Sequence, residues 1–184
     1  MRARLAATVP SVQLANRILP SLLRLLPRGG GGAETEVAHL ERVSKDEYYL
    51  NIAAAVAARS TCLRKHYGAV VVKNDEVIAT GYNGSPRGEA NCCDTGVCYC
   101  RSHELPLDET AAAHGSQYGS CVAVHAEQNA IISASRQELQ GSTLYLVGYD
   151  PRTKKWIEAK PCNMCDRMIR NAGIQRVVRR EIDE

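Results

Sequence analysis

The sequence predicts an α/β fold in which a mixed sheet lies between layers of helix. Three patterns point there. An amphipathic helical stripe opens the folded part. Two short apolar runs then flank an Asn-Asp turn. Each later apolar run is separated from the next by a helical segment. The predicted order is α-β-β-α-β-α-β, and strands that follow helices need crossovers, so the sheet is mixed. The 184 residues, 45% of them hydrophobic, suffice for one domain plus a tail, with a core that needs no staples.

Residues 1–28 differ from the rest. Arg2, Arg4, Arg17, Arg24 and Arg28 stand among Leu, Ala and Val with no Asp or Glu. This composition resembles an organelle transit peptide, and a plain N-terminal extension is the alternative. No apolar run there is long enough to span a bilayer. Residues 29–32 are all Gly, a flexible linker. The domain is therefore expected at 43–184, with 1–42 outside it. The expected location is cytoplasmic, or mitochondrial if the leader is a true transit peptide.

The domain starts at a capping box, Ser44 with Glu47 three residues on. Tyr48, Ile52 and Val56 follow at helical spacing, widened by Tyr49 and Ala53, and predict a helix to about residue 60. Residues 69–72 and 77–80 around Asn74-Asp75 predict a β-hairpin. A loop rich in Gly, Pro and Cys fills 81–124. A helix is expected over 126–138, then a strand over 143–147. The next helix, 161–172, has Pro161 at its first position and Gly173 as its C-terminal cap. Residues 175–179 form the last expected strand.

The net charge of +3 is mild. It suits an anionic small molecule and not a protein that coats nucleic acid. Eight cysteines stand at 62, 92, 93, 98, 100, 121, 162 and 165. Without a secretory signal they are better read as metal ligands than as a disulfide framework.

Two segments carry chemistry: His125-Ala126-Glu127 and Pro161-Cys162-Asn163-Met164-Cys165. Cys162 and Cys165 are three apart at a helix start, so their sulfurs face one way. The positive helix end favours thiolates. With neutral His125 they make three protein ligands, which leaves a zinc ion one open position, the mark of a catalytic site. Zinc lowers the pKa of its water to about 7, and Glu127 is placed to move the protons. Alone, Cys-x-x-Cys is a redox pair or half a structural zinc site. Together and in this order the segments match the signature of zinc deaminases that act on nucleobases.

The run 125–131, His-Ala-Glu-Gln-Asn-Ala-Ile, with 161–165 is similar to the cytidine deaminase-like superfamily. Residues 81–88, Gly-Tyr-Asn-Gly-Ser-Pro-Arg-Gly, resemble the nucleotide-binding loop of its deoxycytidylate (dCMP) deaminase family. Arg59-Ser60-Thr61-Cys62-Leu63-Arg64 and Asn171-Ala172-Gly173-Ile174 resemble the bacterial branch. The likeness covers about 45–180. It implies a three-layer α/β/α fold with a sheet of about five strands. It also implies hydrolytic deamination of dCMP to dUMP and ammonia by zinc-activated water, in pyrimidine deoxynucleotide metabolism. Glu127 would be the catalytic residue, and His125, Cys162 and Cys165 the zinc ligands. Asn83 would bond the deoxyribose and the backbone near Ala126 the base edge. Ser85 and Arg87 are candidates for the 5′-phosphate by proximity and chemistry. The resemblance further implies a homo-oligomer, dimer or hexamer, with no membrane partner.

Some members of the family hold a second, structural zinc. The matching places here carry Cys62, Cys92 and Cys121, with His114 nearby, and Cys93, Cys98, Cys100 and His103 are rivals. Three departures from the family pattern stand out. Val122 replaces an Arg common before the catalytic His. Ser133 stands where regulated members carry an aromatic residue, which puts triphosphate feedback in doubt. Lys160 precedes Pro161 where Ser or Thr is commoner. The alternatives are a deaminase of another cytosine nucleotide or nucleoside, one of adenosine in tRNA, and a non-catalytic structural zinc protein. Arg176, Arg179 and Arg180 are too few for a tRNA-binding surface. Intact Glu127, which is no ligand, argues against a silent zinc protein.

Overall fold

The computed structural model describes residues 42–98 and 121–182. The leader and the Gly linker lie outside these residues, as do Cys100, His103 and His114.

A β-hairpin starts the sheet. Strands β1 (His66–Lys73) and β2 (Glu76–Tyr82) pair antiparallel. Asn74 and Asp75 between them adopt φ of 51° and 68°, the left-handed pair that a tight hairpin turn demands. Strand β3 (Thr143–Asp150) pairs antiparallel with the other edge of β1. Two strands share the far edge of β3. Strand β5 (Arg176–Arg179) runs parallel to its first half, and β4 (Lys155–Ile157) antiparallel to its end. Among the described residues the sheet is mixed and has five strands, as expected. Strand β4 escapes a sequence reading because three residues show no alternation.

Helices cover both faces. Helix α1 (Lys45–Ala57) packs Tyr49, Leu50, Ala53 and Ala54 on Val70, Val72, Tyr145 and Val147. The alternate residues of the same strands, Val71, Leu144 and Leu146, face Ala126 and Ala130 of α3 (Ala126–Ile131) and Ile169 of α5 (Asn163–Ala172). Period-two alternation therefore builds two cores from one sheet. Two short helices, α2 (Cys92–Thr95) and α4 (Arg136–Leu139), complete the described elements.

Several expectations need correction. Helix α1 ends at Ala57, not near 60, and its buried stripe is rotated: Tyr48 is 51% exposed while Tyr49 is buried. Tyr49 wins because its hydroxyl reaches Asp75, 2.7 Å from Oδ1, which ties the helix to the hairpin turn. The Ser44 hydroxyl accepts from Glu47 N–H as predicted, but the Glu47 carboxylate turns to Arg180. The single helix expected over 126–138 is two, because Ser135 starts α4 with its own box to Glu138. Finally, Cys162 is the N-cap of α5, so Pro161 sits one place before the cap and not inside the helix. Gly173 does close α5, at φ 82°.

Glycines set how closely the layers approach. A Cβ at Gly68 of β1 would overlap the Ala53 carbonyl and the Ala57 backbone of α1. A Cβ at Gly81 of β2 would overlap the Ala126 carbonyl and Ala130 N of α3. Asp46 links the first element to the last. Its carboxylate takes both Arg176 nitrogens, at 2.6 and 3.2 Å, and the Tyr145 hydroxyl at 2.9 Å. These bonds, Arg176 first, hold its pKa below the usual carboxylate range.

Gly68→Ala is expected to cost about 1–3 kcal/mol, at the upper end because backbone must yield, as read by urea unfolding. Asp46→Ala should cost most near neutral pH. Because the folded pKa of Asp46 is depressed, its contribution is present above about pH 4 and fades as the pH falls below that. A difference between parent and variant that grows on acidification would contradict the assignment.

Candidate active site

The amino ends of α3 and α5 converge near the edge where β2 and β3 finish. His125 is the N-cap of α3 and Cys162 that of α5. Cys165, one turn into α5, is fully buried. His125 Nδ1 lies 3.6 Å from Cys162 Sγ and 3.3 Å from Cys165 Sγ. All three ligand atoms fall within 4.8 Å of one another, the only such group of three among the described residues. A tetrahedral zinc with Zn–S of about 2.3 Å and Zn–N of about 2.0 Å spaces N and S by about 3.5 Å. The three donors fit that ion.

Glu127 stands beside them, 5% exposed. Burial raises its pKa, opposed by hydrogen bonds to its own backbone and to the Cys165 thiol. Burial also pushes the Cys165 thiol up, with the Glu127 and Cys162 charges adding to it. Burial lowers the His125 pKa, which keeps the ring neutral. Two sulfurs and a carboxyl packed together cannot all be anionic unless a cation joins them. The chemistry of the donor set thus agrees with its geometry.

The backbone around His125 is firmly placed. Val124 exchanges two hydrogen bonds with Gly84, at 2.8 and 3.2 Å. Asn129 Nδ2 donates to the Tyr82 carbonyl at 2.8 Å. Gln128 Oε1 accepts from His125 N–H at 2.8 Å. The positions of Gln128 and Asn129 fall inside the quoted motif, yet their roles were not foreseen. A polar residue three after an N-cap was the available signal for Gln128.

Asn83 is buried and largely committed. Its Oδ1 accepts from Tyr67 N–H at 2.8 Å and the Ser60 hydroxyl at 2.7 Å, and its Nδ2 donates to Lys65 O at 2.9 Å. One N–H of the amide is left for a ligand. Neither Asn83 nor Gly84 has positive φ, so this Asn-Gly pair is no ordinary left-handed turn. Ser85 Oγ is buried without a protein partner, as is Thr61 Oγ1. Arg87 is exposed, and Ala126 opens α3 from a fully buried position.

The second ligand set is only partly visible. Cys62, Cys92 and Cys121 do not by themselves gather within one ligand sphere, and His114 lies outside the described residues. Cys93 N–H bonds the Thr61 carbonyl at 3.2 Å, which draws α2 toward Cys62. Cys93 is exposed and Cys98 half-buried.

The family model for the cytidine and deoxycytidylate deaminase zinc-binding region matches residues 43–180. The deoxycytidylate deaminase of Mycobacterium phage D29 is 42% identical over 144 residues, covering 76% of this chain and 96% of the phage protein. That of Schizosaccharomyces pombe is 34% identical over 137 residues, covering 74% of this chain and 37% of the yeast protein. The chain thus spans nearly all of the first relative and little over a third of the second. Among solved structures, the apo dCMP deaminase of cyanophage S-TIM5 matches with a TM-score of 0.50 at 29% identity, covering 73% of this chain and 81% of that one.

Stripping the metal with a chelator should lower the melting temperature, and zinc should restore it. At free zinc about 100 times its Kd the gain is about 2.7 kcal/mol, a shift on the order of 10 °C. A melting temperature indifferent to zinc would count against these ligands.

Proposed function

The chain belongs to the cytidine and deoxycytidylate deaminase family, and from that premise we propose that it hydrolyses dCMP to dUMP and ammonia. The observation that carries the proposal is the His125, Cys162 and Cys165 group with buried Glu127 against it. Zinc, when bound by those three side chains, supplies Lewis acidity and a water of pKa about 7. Glu127 accepts a proton from the attacking water and passes it to N3 of the cytosine ring, then takes the proton of the hydroxyl added at C4 and delivers it to the departing amine. Its burial suits that task, because a raised carboxyl pKa lets it hold a proton between steps.

The remaining contacts follow from the free groups near the site. Ala126, first in α3, has an N–H with no intrahelical acceptor, available to the base edge. The spare N–H of Asn83 bonds the deoxyribose. Ser85, whose hydroxyl lacks a protein partner, and exposed Arg87 take the 5′-phosphate. Cys62, Cys92, His114 and Cys121 are the ligands of a second, structural zinc; the Thr61–Cys93 and Gly84–Val124 backbone bonds draw the segments of the three cysteines toward one another, although those cysteines do not by themselves fall within one ligand sphere. The chain forms a homo-oligomer, supported by exposed Val77, Tyr82 and Ile132 on β2 and the end of α3. It works in the cytoplasm, and no helix of the described residues is long and apolar enough to cross a membrane.

Ammonia release measured across dCMP, CMP, cytidine, deoxycytidine and adenosine is expected to favour dCMP. Activity on another substrate with dCMP untouched would refute the substrate assignment. Glu127→Gln should lower kcat by about 10²–10⁴ while zinc content stays at the parental level. Two zinc ions per chain are expected, and a single one removes the second site.

A further inference from the structure

The candidate metal group is split between two helices, with His125 on α3 and both cysteines on α5. A ligand atom must be held to within about 0.5 Å for a productive site. The spacing of the two helix ends therefore needs a fixed link. Gln128 reaches both. Its Oε1 accepts from His125 N–H at 2.8 Å. Its Nε2 lies 3.8 Å from Met164 Sδ and 3.8 Å from Met168 Sδ, on either side of Cys165 in the chain.

The direction of this amide is determined. An NH2 group facing His125 N–H would set donor against donor, so the oxygen lies there and the NH2 faces the sulfurs. The two ends differ in strength. The bond to His125 is short and directional. The thioethers are weak, polarizable acceptors that hold α5 at the right distance without demanding one angle. Length is the essential property. Asn is one methylene too short to touch both helices. Glu keeps the reach and the acceptor but turns an oxygen toward the sulfurs.

We infer that Gln128 is a positioning residue, a strut between α3 and α5 that sets the spacing of His125 Nδ1 from the Cys162 and Cys165 sulfurs. The inference rests on the metal reading given above. It is tested on the full chain with Gln128→Leu, Gln128→Asn and Gln128→Glu. Zinc affinity is measured by competition with a chromophoric chelator, and ligand geometry by the absorption of the cobalt(II) form. Gln128→Leu and Gln128→Asn should bind zinc about 10–100-fold more weakly and shift the cobalt bands. Their metal-free forms should unfold at the parental urea concentration. Gln128→Glu, which keeps the His125 bond, should lose less. Affinities within about twofold of the parent and an unchanged cobalt spectrum would overturn the inference. So would a loss matched by falling stability of the metal-free protein, which would make Gln128 merely structural. A parent that takes up no zinc fails before any substitution, and marks failure of the metal reading instead.

Discussion

The close passage of α3 over β2 at Gly81 is the constraint on which the site depends. Any side chain there would collide with the backbone of α3 at Ala126 and Ala130. Because the helix lies flat against the strand, its first residue arrives beside the end of β2. Asn129 then locks to Tyr82, and Val124 to Gly84. His125 inherits its position from those backbone bonds. A histidine on a more distant helix would need a longer side chain to meet the two sulfurs of α5.

Placement alone does not make the cluster stable. Burial drives His125, Glu127 and Cys165 toward their neutral forms: the Cys165 thiol and the carboxyl upward in pKa, the imidazole downward. The helix ends supply partial positive charge, about half a unit each, too little for two thiolates and a carboxylate. The site is therefore built for a cation and is electrostatically incomplete without one. In the proposed reaction, the same burial gives Glu127 the raised proton affinity that shuttling needs. In that reaction, metal retention and proton transfer both draw on one feature, the burial of Cys165 and Glu127 at the ends of two helices.

Local chemistry made much of this legible in the sequence. The turn Asn74-Asp75, the cap Ser44, the stop Gly173 and the spacings within the pairs His125–Glu127 and Cys162–Cys165 each depend on residues close in the chain. What stayed hidden depends on distant partners. Tyr49 rather than Tyr48 faces inward because Asp75 is there to meet it. Asn83 looked like a ligand contact or a turn, and is also the knot that ties Ser60, Lys65 and Tyr67 together. Strand β4 exists because β3 extends past β5 and leaves an edge to fill. The misplaced Pro161 has a different cause. Cys162 is both a candidate ligand and the helix cap, accepting from Cys165 N–H at 3.5 Å, a task usually given to oxygen.

The tie between Asp46 and Arg176 spans 130 residues. A ribosome adding roughly 5–20 residues each second delivers the two ends of that bond on the order of 10 s apart. Through most of that interval α1 has only Val70 and Val72 of β1 to pack against, since Tyr145 and Val147 of β3 come late. The first layer is therefore completed only when β3 has been made.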